Sequence, residues 1–151
     1  MAGEAYRELG EAAWAWVLGQ VRGDDGPWLP EVVSAEDRPA VPGEDCDSLY
    51  AGIGGLAPVL AEIGRYRTLT GAEEALAAGI VARLGAGART RTEPSLYGGL
   101  GGDVTALRLL APGREQVALR RLGDLMTPGG MEQHAGDRAG IGVAGDGSGL
   151  G

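Results

Sequence analysis

Ser48-Leu49-Tyr50-Ala51-Gly52-Ile53-Gly54-Gly55 is echoed by Ser95-Leu96-Tyr97-Gly98-Gly99-Leu100-Gly101-Gly102, with Ser95 lying 47 positions after Ser48. The shared pattern is Ser-Leu-Tyr-x-Gly-φ-Gly-Gly. Each copy leads into an apolar stripe of helical period, and a second such stripe follows each. A repeat of about 45 residues is the scale of a helical hairpin that stacks on its neighbour. In each copy the serine suits a helix start, where amides lack partners. The Leu-Tyr pair predicts a buried anchor whose hydroxyl can tie down backbone. The glycines let the chain turn sharply and let helix starts approach without a Cβ. Ser48, Tyr50, Gly52 and Gly55, with Ser95, Tyr97, Gly99 and Gly102, are therefore read as a structural motif. Anion binding by the glycine-rich amides is the rival reading. The phosphate-loop pattern needs a lysine, and this chain has none.

The rest of the chain reads outward from these copies. Residues 4–22 predict a first helix with an apolar side of Leu9, Ala13, Trp16, Val17 and Val21. Residues 23–47 hold Pro27, Pro30, Pro39 and Pro42 and predict a long loop. A second helix is expected from near Gly55 to Arg67, with Leu56, Val59, Leu60 and Ile63 inward. Thr70-Gly71-Ala72-Glu73 resembles a capping box and starts a third helix, to Leu84. A fourth is expected over residues 102–110, and a fifth from Pro112 to Met126. Residues 128–151 contain nine glycines and no helical stripe, so that tail is expected to be irregular or disordered. No stretch alternates as a strand does, and the expected class is all-α.

Composition narrows the function classes. Of 151 residues, 44% are hydrophobic and 23% charged, which argues for a folded core. The 29 glycines follow no Gly-X-Y period, so collagen is excluded. The net charge of −8 disfavours a nucleic-acid backbone and an anionic membrane as partners. No apolar run reaches the length of a membrane span, and no secretory leader is read at Met1-Ala2-Gly3-Glu4. A single cysteine cannot form an internal disulfide, which fits a cytoplasmic location.

The paired motif resembles the lanthionine synthetase C-like family. Asp47-Ser48-Leu49-Tyr50 and Glu93-Pro94-Ser95-Leu96-Tyr97 look like its first two motif copies, and Thr92–Leu125, including Asp103-Val104-Thr105-Ala106-Leu107, is the nearest match. The resemblance implies helical hairpins forming part of an (α/α)6 toroid over residues 1–130, followed by a glycine-rich tail at 131–151. It implies peptide modification by thioether ring formation in full-length relatives, whose zinc is held by two cysteines and a histidine and favours a reactive thiolate. The tail departs from the family pattern from about Met131, and a truncated or frame-altered product is expected. An arc of hairpins would leave apolar flanks, through which self-association is expected.

Candidate chemistry is sparse. Cys46 and His134 are the only soft metal ligands, and one of each does not make the family's three-ligand site. No catalytic or metal residue is assigned, and no cofactor is expected in this chain; a peptide substrate is the expected partner. Asp24-Asp25 and Glu44-Asp45-Cys46-Asp47 lack calcium-loop spacing and read as solvated acidic loops. Trp14, Trp16 and Trp28 could line a peptide wall but read first as packing of the first helix. Two rivals stand beside the family reading: a non-enzymatic helical binding scaffold, and part of a carbohydrate-active (α/α) toroid. The last needs paired carboxylates, and no convincing pair is seen.

Overall fold

A computed structural model describes residues 2–23, 25–30 and 41–126; the irregular tail expected at 131–151 and His134 lie outside them. Among the described residues five α-helices follow in order: α1 (Ala2–Gln20), α2 (Leu56–Tyr66), α3 (Gly71–Gly87), α4 (Leu100–Leu110) and α5 (Gln116–Met126). A 3-10 turn at Ile53–Gly55 leads straight into α2. Among the described residues there is no strand, only an isolated antiparallel bridge between Arg22 and Trp28. The all-α class stands.

The helix starts follow from local chemistry. Thr70 caps α3 by a full capping box. Its hydroxyl accepts from the Glu73 amide at 3.3 Å, and the Glu73 carboxylate accepts from the Thr70 amide at 2.7 Å. Pro112 does not open α5. Instead Ala111–Arg114 make a turn, with Arg114 N donating to Ala111 O and Gly113 at φ +97°. That left-handed backbone suits glycine and interrupts any helix through it. The Glu115 carboxylate accepts from the Gly113 amide, and α5 begins at Gln116.

The core lies where α4 meets α2, α3 and α5. Ile53, Leu60, Ile80, Leu84, Leu100 and Leu107 are essentially inaccessible to solvent. Each such side chain contributes roughly 1.5–3 kcal/mol through burial. Ile53 and Leu100 occupy the same position in the two motif copies, so both copies anchor this one core.

The first helix faces differently from its sequence reading. Leu9, Ala13 and Trp16 point to solvent, whereas Trp14 is buried and Val17, Leu18 and Val21 pack on the core. Two apolar stripes compete on this helix. The winner is the one whose indole reaches a buried acceptor: Trp14 Nε1 donates to Glu73 Oε1 at 2.7 Å. The chain then turns at Gly26 (φ +94°), and Trp28 is buried as the Pro27 ring settles on Gly79 of α3.

Candidate functional site

The two motif copies share a set of equivalent contacts. Ile53 N donates to Cys46 O at 2.8 Å, and Leu100 N donates to Glu93 O at 2.8 Å. Ser48 Oγ accepts from Ala51 N, and Ser95 Oγ accepts from Gly98 N. The serines therefore close the turn before each helix and do not cap the helix itself. A Cβ on Gly52 would run into the carbonyl of Cys46, and one on Gly99 into that of Glu93. A Cβ on Gly55 would lie 2.7 Å from Leu49 O, and one on Gly102 lies 2.5 Å from Leu96 O. Gly52 and Gly99 have φ of −117° and −131°, so these positions need the missing side chain and not a left-handed backbone.

The loops also join each other. Tyr50 N donates to Tyr97 O at 3.2 Å, and the two rings meet edge to face with centroids 6.2 Å apart. Both helices thus start from the same end and pack side by side. The tyrosines are not buried anchors: Tyr50 is 83% exposed and Tyr97 64%. Leu96 is also exposed, and only Leu49 packs against the core. The rings lie at the surface and pack edge to face against each other.

Behind the loops lies an ionic cluster around Asp47, a residue expected from the sequence to sit in a solvated acidic loop. Asp47 Oδ1 accepts from Arg83 Nε, and Asp47 Oδ2 accepts from Arg91 Nη2 at 3.3 Å. Arg91 Nη1 donates to Gly98 O, and Arg121 of α5 donates to Arg91 O. Asp47 and its two arginines therefore connect the first motif loop to α3 and to the second loop. Their side chains are about one-fifth exposed. Asp103, on α4, is 2% exposed, and its Oδ2 sits 2.8 Å from Arg91 Nε. That contact is close but misaligned, so neither atom completes a hydrogen bond. Burial consequently outweighs the arginine and pushes the Asp103 carboxyl up to about 6. Asp103 has helical spacing with Ala106, Leu107 and Leu110, which marks a carboxylate on an apolar face and was legible in the sequence.

This gives a pH-dependent prediction. A carboxyl raised in the folded state stabilises the fold fully below its unfolded value of 3.8 and loses that contribution as pH rises through about 6. Wild type should lose about 3 kcal/mol relative to Asp103→Asn between acid and neutral pH. Urea unfolding of both proteins at steps from pH 4 to pH 7 checks it, and parallel curves would refute it.

The donors here do not fit a zinc site. Arg83 Nη2 stands 3.1 Å from Cys46 Sγ and points its charge at the sulfur. Asp47, the neighbouring carboxylate, spends both oxygens on arginines. Among the described residues no group of three His, Cys, Asp or Glu side chains converges.

One open feature among the described residues is a groove of about 750 Å³ between α3, α4 and α5. Ala77, Val81, Leu107, Leu110 and Val117 form its apolar walls, and Arg89 and Arg114 stand on its rim with one carboxylate, Glu74. Both arginines are exposed and make no ion pair among the described residues. An apolar trough with two unpaired cations suits a segment carrying apolar and acidic side chains. No sequence motif marks it, because its lining comes from three helices.

Compared with known protein families, with curated proteins and with solved structures, the chain matches none.

Proposed function

We propose that this chain is a helical-hairpin scaffold of the lanthionine synthetase C-like type, an arc of an (α/α)6 toroid, which holds a peptide and does not itself cyclise it. The carrying observation is the recurrence of the same backbone contacts at the same offset in both motif loops. The short links support the hairpin reading: residues 67–70 join α2 to α3, and residues 111–115 join α4 to α5. Each linked pair is in contact. The peptide site is the groove between α3, α4 and α5, with Arg89 and Arg114 meeting acidic side chains. Zinc in relatives would favour a thiolate, but the arginine-facing Cys46 and the saturated Asp47 do not offer it a site here.

The experiment has two readouts. Metal analysis of the dialysed chain should find no stoichiometric zinc. A dehydrated, cysteine-containing peptide incubated with the chain should remain fully alkylatable by mass spectrometry. One zinc per chain, lost on Cys46→Ala, would overturn the zinc-free reading. Calorimetric titration with an apolar, acidic peptide should show binding that weakens about tenfold in the Arg89→Glu/Arg114→Glu double variant.

A further inference from the structure

The outer face of α1 is an apolar stripe with nothing against it among the described residues. Tyr6, Leu9 and Trp16 are 76%, 66% and 59% exposed. With Ala13 they recur at steps of three and four residues, so they share one face. Soluble monomers seldom leave such a stripe bare without a use. Its edge is acidic. Glu8 stands one turn from both Ala5 and Ala12, which border the stripe. The Glu8 carboxylate has no ion-pair partner among the described residues.

The groove has the inverse character. Its walls are apolar, and its rim carries two arginines, Arg89 and Arg114, against one carboxylate, Glu74, in a chain of net charge −8. The two surfaces lie on opposite flanks of α3. Glu73 and Gly79 receive Trp14 and Pro27 on one flank. Ala77, Val81 and Gly85 line the groove on the other. Because Trp14 and Glu11 are tied to Glu73 and Arg67, α1 stays on its own flank and does not reach its own groove.

We infer that the outer face of α1 docks into the α3–α4–α5 groove of a second copy of this chain. This rests on the reading of the groove as a peptide site and names its occupant. Tyr6, Leu9 and Trp16 enter the apolar trough, and Glu8 meets the rim formed by Arg89 and Arg114. Each copy gives one helix and accepts one, so the contact is head-to-tail and builds rows or rings. The stripe from Tyr6 to Trp16 spans about 15 Å at the helical rise. An interface that small associates weakly and in proportion to concentration.

Sedimentation velocity over a hundredfold concentration range should show the full chain growing beyond a dimer, less so at high salt. Trp16→Arg alters the exposed stripe, and Arg89→Glu/Arg114→Glu alters the exposed rim; helical circular dichroism should be unchanged in both. Each variant alone should associate at least about tenfold more weakly. Mixed, they should form heterodimers and stop there, because one retains the groove and the other the stripe. A monomer at every concentration, assembly by either variant at wild-type strength, or a mixture that forms no heterodimer would each overturn the inference. A chain that binds the acidic peptide but stays monomeric would refute self-docking and leave the peptide reading intact.

Discussion

Gly99→Ala should destabilise the protein by about 3 kcal/mol, near the upper end of what forced overpacking costs. The added Cβ would stand 2.7 Å from the Glu93 carbonyl carbon and closer still to its oxygen. That oxygen accepts the amide of Leu100, a core residue, so the loop cannot retreat without losing the bond that starts α4. Gly52→Ala should cost a similar amount for the equivalent reason at Cys46. Gly85→Ala and Gly123→Ala are the controls. Both glycines lie inside helices with nothing within 4 Å of the new Cβ. Alanine there should be neutral or stabilise by up to about 1 kcal/mol. Urea unfolding of the four variants checks the contrast. Equal effects at all four sites would remove the packing account of the motif.

Glu73→Ala is the second large effect, expected at about 3 kcal/mol or more. The Glu73 carboxylate is 1% exposed and accepts from the Trp14 indole, both terminal nitrogens of Arg67 and the Thr70 amide, at 2.7–2.8 Å. Removing it strands buried donors and frees α1 from α3. Arg67 remains tied to Glu11, but that outer pair is solvated and worth little. The Arg67 guanidinium, with the Thr70 amide and the Trp14 indole, holds the Glu73 carboxyl well below the carboxylate range, against the opposing effect of burial. A depressed carboxyl stabilises the fold above its unfolded value of 4.5 and loses that contribution as pH falls towards the folded value. The gap between wild type and variant should be full at neutral pH and narrow only in acid. Trp14→Phe combined with Glu73→Ala should cost less than the two separately, because they share one interaction. Strict additivity in denaturant melts would contradict the network.

Several features were legible because they are local. The capping box at Thr70 and Glu73 needs four consecutive residues, and their order alone prescribes both bonds. Pro112 misled because a proline suits either a helix start or a turn, and the glycine after it decides for the turn. The stripe of α1 was ambiguous because Trp14 and Trp16 lie on different sides of the helix, and either side is apolar enough to pack. The ionic cluster was hidden because Asp47, Arg83, Arg91 and Asp103 meet only after three segments have folded together. The groove was hidden for the same reason.

The amino-acid sequence by itself determined the helical class, the paired loops and the spacing between them. Helical period and glycine placement act over a few residues and do not depend on what lies across the core. Tertiary structure alone decided that the motif tyrosines lie outside while the isoleucine and leucine of the motif lie inside. It also decided that Asp47 is spent on arginines, that α1 turns Trp14 inward, and that a basic-rimmed groove opens between α3, α4 and α5. Burial and pairing energies depend on which distant groups converge, and a linear pattern carries no record of that convergence.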